Sequence, residues 1–119
     1  MDKDALVAAL TDMFRQVRSE GTVVEAFILV PAYRGFLRNR FVLGVSAPSM
    51  VSLERYERID ELIDIIHKHL SVDYRKMIDR VRVYDSVADL KTYAEIGFDG
   101  PYEGVYERPM RQETAMIEV

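Results

Sequence analysis

Cysteine and tryptophan are both absent from these 119 residues. With no thiol there is no disulfide scaffold, no thiolate metal site and no cysteine nucleophile. Long apolar runs are missing too. The longest, Ala26 to Ala32, falls far short of the roughly 20 residues that a membrane-spanning helix needs. The opening Met1-Asp2-Lys3-Asp4 is acidic and no extended apolar segment follows, so no secretory leader is expected. There is no G-x-x-x-x-G-K-[ST] phosphate loop, no G-x-G-x-x-G, no G-x-S-x-G elbow and no H-E-x-x-H. No cofactor and no metal is therefore expected. These absences predict a soluble, cytoplasmic chain. A domain commonly spans about 100–150 residues, so one domain is expected, over 1–97, with a turn-rich tail over 98–119.

Amphipathic periodicity carries most of the fold. Leu6, Leu10, Met13 and Val17 recur at helical spacing and predict a helix over 4–19, capped by Asp2 or Asp4 and stopped near Gly21. Residues 22–32 are β-branched and aromatic, with apolar groups on both faces. They predict a central strand buried on both sides and ended by Pro31. Tyr33-Arg34-Gly35-Phe36 reads as a turn, and 37–46 as a second strand paired with the first in an antiparallel hairpin. Ser52 is the expected N-cap of a helix over 53–70, with Glu54–Arg58 and Asp64–Lys68 as i, i+4 pairs. A further helical turn is expected within 72–78. Arg80 to Tyr84 alternates as a third strand. Ser86-Val-Ala-Asp89 opens a helix running to about Ile96. Residues 114–119 suit a short edge strand. The expected fold is α+β, in the order α-β-β-α-β-α plus the tail. It has two layers, with helices on one face of a mainly antiparallel sheet.

Charge is distributed in blocks. The net charge is −4, yet segments 1–25, 26–53, 54–67, 68–82 and 83–119 carry −2, +3, −3, +3 and −5. Not one acid lies between Ala26 and Leu53. On the second strand Arg38 and Arg40 oppose the Leu37/Phe41/Leu43 side. On the third, Arg80 and Arg82 oppose Val81 and Val83. If the apolar sides meet the helices, four arginines share the other face, provided neither register slips. Tyr33 and Arg34 extend this face at the hairpin tip, and Tyr84 adds an aromatic ring.

Three readings of that face follow. It is a solvated or internally paired surface, since arginine stems cover sheet well. Or it is a protein contact, made with the acidic, aromatic tail of the same or a second copy. Or it binds an anion: a nucleotide, an acidic peptide or single-stranded nucleic acid. The leading expectation is a non-enzymatic binding or assembly module that homodimerises or binds a protein. Nucleic acid or a small anion is the alternative ligand, and no membrane partner is expected. Tyr33, Arg34, Arg38, Arg40, Arg80, Arg82 and Tyr84 form the candidate contact set.

Two lesser options concern catalysis. Glu25 interrupts an apolar run, and a buried carboxylate there would have a raised pKa. Asp60, Asp64 and His67 share a helical face that could hold a divalent ion. The plainer readings are a Glu25 that reaches solvent and a solvated helix face.

Overall fold

A computed structural model describes residues 2–35, 39–96, 98 and 116–119, with the backbone alone at Arg34 and Gly35. The first helix, α1, covers Lys3–Arg18, and the Asp2 side chain accepts from the Ala5 N–H at 2.9 Å. That bond satisfies one of the helix's orphan donors. Leu6, Leu10, Met13, Phe14 and Val17 are all buried on its inner face. Strand β1 spans Ala26–Pro31, followed by a 3-10 turn over Ala32–Gly35. Strand β2 spans Phe41–Ser46 and pairs antiparallel with β1, Ala26 opposite Ser46 through Pro31 opposite Phe41. The hairpin expectation is met, but β2 starts four residues later than the alternation predicts.

Helix α2 covers Arg55–His69. Its N-cap is Glu54 rather than Ser52, and the Glu57 carboxylate accepts from the Glu54 N–H at 3.0 Å. A one-turn helix, α3, follows at Val72–Arg75, then strand β3 at Ile78–Tyr84 and helix α4 at Val87–Ala94. The Ser86 hydroxyl caps α4 by accepting from the Asp89 N–H at 3.1 Å, as the capping pattern predicts. Strand β4, Ile117–Glu118, pairs antiparallel with β1 at one sheet edge.

The sheet order is β3-β2-β1-β4. The α+β class stands, but the sheet is mixed, because β3 runs parallel to β2. The physical reason is the connection. Parallel neighbours need a long crossover, usually helical, and α2 supplies it.

The expectation of helices on one face is also corrected. On one side, Phe27, Leu29, Leu43, Val45 and Val81 pack with α1 and α2. On the other, Ala26, Ile28, Val30 and Val42 pack with Leu90 and Ala94 of α4 and with Phe98. A strand that is apolar on both sides needs cover on both, and α4 provides the second layer. Among the described residues no helix is long and apolar enough to cross a membrane.

Candidate binding site at the β3 edge

Strand β3 carries the basic residues because its period of two puts Arg80, Arg82 and Tyr84 on one side and Val81 and Val83 on the other. Val81 and Val83 pack with the α1/α2 side of the core. Arg80, Arg82 and Tyr84 therefore turn toward α4. Tyr84 stacks on Tyr93 of α4, with centroids 4.9 Å apart and planes 8° apart. It also stacks on Phe98, at 5.8 Å and 23°. Offset stacking of this kind fixes the end of β3 against α4.

A cavity of about 550 Å³ opens beside this aromatic cluster. Arg55, Arg58 and Ile59 of α2 line one part of it. Arg80, Arg82, Val83 and Tyr84 of β3 line another, with Asp85, Asp89, Tyr93 and Phe98 completing the wall. Its size falls in the range of about 300–1,000 Å³ usual for ligand sites. Four arginines and two aspartates are among its lining residues, so the lining is net cationic.

The arginines differ in how they are held. Arg58 is the most constrained. Its Nε donates to the Leu53 carbonyl at 2.9 Å, its Nη2 to the Val51 carbonyl at 2.8 Å, and its Nη1 pairs with Asp85. Arg82 Nη1 donates to the carbonyl of Val81 at 2.8 Å. Arg80 Nε pairs with Asp79 at 3.1 Å and its guanidinium lies 5.9 Å from the Tyr33 ring centroid. The Tyr33 hydroxyl donates to the same carboxylate at 3.2 Å. Arg55 lies 5.9 Å from the ring centroid of exposed Tyr56, its neighbour on α2. The Tyr84 phenol is pushed up to about 12, chiefly by burial, against a lowering by Arg82 and with a further rise from Tyr93. It stays a neutral hydroxyl across the physiological range.

The expected contact set is thus only partly assembled. Arg80, Arg82 and Tyr84 line the cavity, and Tyr33 supports Arg80 from outside it. Arg40 lies before β2, not within it, and is exposed away from the cavity. The late start of β2 takes it off the strand face. Arg38 and the Arg34 side chain lie outside the described residues, as does the tail from 99 to 115. Arg55 and Arg58 are missing from the sequence-based set. Arg58 stands at i, i+4 spacing from Glu54 but pairs with Asp85 just after β3, and no local spacing marks Arg55.

The two catalytic options gain nothing from the geometry. Glu25 is exposed just before β1. Asp60, Asp64 and His67 are exposed on α2, and among the described residues no cluster of three or more His, Asp or Glu side chains could hold a metal ion. No family model, curated protein or solved structure matches the chain.

Proposed function

We propose that this chain is a binding module for an anionic partner, received in the cavity between α2, β3 and α4. The observation that carries the reading is the lining itself: four arginines against two aspartates, beside the Tyr84–Tyr93 stack. Arg58 already pairs with Asp85 and Arg80 with Asp79, so Arg82 of β3 and Arg55 of α2 are the arginines assigned to the ligand. Guanidinium groups suit this task because they stay charged and present planar donor forks to carboxylate or phosphate. The dimer reading remains a separate proposal, resting on a tail described only at Phe98 and over 116–119.

The test is calorimetric titration at low salt with three probes: a nucleoside triphosphate, a single-stranded oligonucleotide and a capped peptide rich in glutamate. At least one should bind, and its affinity should fall as salt rises. Arg82→Gln and Arg55→Gln should each weaken that binding by roughly 10-fold, the scale of a charge-assisted hydrogen bond. Absence of binding by all three probes overturns the reading.

A further inference from the structure

The lining of the cavity says where on β3 a partner would sit. Successive residues of a strand point to opposite faces. A space beneath one face meets every second residue. This cavity is lined by Arg82, Val83 and Tyr84 of β3 in unbroken succession, with Ile59 of α2 on one side and Tyr93 of α4 on the other. It must therefore run along the side of the strand, past both faces. That side is free of strand neighbours among the described residues, since β3 ends the sheet order and bonds only to β2.

The direction of the backbone groups agrees. The Tyr84 carbonyl accepts from the Ala47 N–H at 3.0 Å, so its polar groups turn inward. Alternation then turns those of Val83 and Val81 outward. Arg82 shows this at Val81, whose carbonyl takes a side-chain donor at 2.8 Å instead of a strand N–H. An edge strand with such outward groups is a template for another strand.

Resting on the anionic-partner reading, we propose that the partner is an extended acidic segment of another protein, added to the sheet as a fifth strand along β3. The structure specifies its pattern. Side chains on the α4 side would meet Arg82, and Arg80 with its Asp79 partner beside it, which calls for aspartate or glutamate opposite Arg82. Side chains on the α2 side would meet half-buried Ile59 and Val83, which calls for apolar residues, while Arg55 of α2 adds charge attraction to the same acidic segment. The partner therefore alternates acidic and apolar residues over the length of the strand. Main-chain bonds to Val81 and Val83 give affinity, and the alternate side chains give specificity. A docking N–H would take over the Val81 carbonyl and release the Arg82 guanidinium to the incoming carboxylate. A second copy of this chain is the poorer occupant of the same edge. Pairing two β3 strands would set Arg80 and Arg82 against their own kind, and like charges across a strand pair repel.

The experiment uses the full chain and a capped octapeptide of alternating glutamate and valine. Three comparison probes accompany it: the same peptide N-methylated at the amides facing β3, a single-stranded oligonucleotide and a nucleoside triphosphate. The plain peptide should bind and slow hydrogen exchange at the amides of Val81 and Val83, leaving those of Arg82 and Tyr84 as they were. N-methylation should cost about 10-fold or more in affinity, since it removes backbone hydrogen bonds and keeps every charge. Arg82→Glu should weaken the plain peptide by a similar factor. Equal binding of plain and methylated peptides overturns strand addition and leaves the anion reading standing. So does binding of the oligonucleotide or nucleotide without the peptide. Failure of every probe overturns both.

Discussion

The tip of the Phe98 ring rests against the backbone of Gly44: a Cβ placed on Gly44 would lie 2.3 Å from Phe98 Cζ. Glycine inside a strand commonly marks such a close approach. Phe98 holds a φ of 65°, a region that costs an ordinary residue about 1–2 kcal/mol. Its buried contact with the sheet and its stack on Tyr84 offset that cost. Gly44→Ala should therefore destabilise the fold by about 1–3 kcal/mol, the usual scale of overpacking. In a Phe98→Ala background the same change should be neutral or slightly stabilising, because the ring is gone and alanine suits a strand better than glycine. Denaturant unfolding of the four proteins gives the coupling. Additive costs would show that the two residues do not touch.

Arg58 joins three pieces of chain. It bonds the carbonyls of Val51 and Leu53 before α2, and Asp85 after β3. Its side chain is only 16% exposed and its bond to Leu53 is partly buried, while Asp85 is 50% exposed and still reaches water. Arg58→Ala should cost about 1–3 kcal/mol by leaving those acceptors poorly paired. Arg58→Lys should recover less than half of the loss, because one ammonium cannot match a three-way fork. Equal stability of the lysine variant and the parent, by chemical denaturation, would contradict this geometry.

The helices and the strand faces were legible because burial leaves a period. The Leu6-to-Val17 stripe marks α1, and the alternation of Arg80, Val81, Arg82 and Val83 correctly divides the two sides of β3. The direction of β3 was not legible, since nothing local distinguishes a parallel from an antiparallel edge. It follows from α2 acting as a crossover. The place of α4 was legible in principle. Ala26, Ile28 and Val30 alternate with Phe27 and Leu29, and both sets are apolar, so a single layer of helices leaves one set in water. Half of the site hid for another reason. Arg55 and Arg58 sit among acids on a helix, where local spacing suggests i, i+4 pairs, and only the tertiary fold carries Arg58 to Asp85. Arg40 is the opposite case: the alternation runs on through residues that precede the true start of β2 at Phe41.

Ser46 is fully buried in β2, and its hydroxyl has no hydrogen-bond partner among the described residues. A buried hydroxyl without a partner has lost its water and gained nothing in exchange. Ser46→Ala removes that group and little volume. It should stabilise the fold by about 1 kcal/mol, with an unchanged denaturant slope. A loss of stability instead would place a hidden partner, such as an ordered water, beside the hydroxyl.

Tyr84 gives the site a pH signature. Burial raises its phenol from 10.0 to about 12 in the folded chain. Above pH 10 the unfolded state loses this proton while the native state keeps it. The native state then binds more protons, so stability falls as pH rises. The contribution is fully present below pH 10 and is lost as pH climbs through the native value of about 12. Spectrophotometric titration should show one phenolate appearing near that value in the parent and absent from Tyr84→Phe. Unfolding measured over the same range should show a shallower decline in the phenylalanine variant. An acidic strand bound along β3 would bring more negative charge near the phenol and push its ionisation higher still. A Tyr84 titration unmoved by saturating peptide would place the ligand away from this ring.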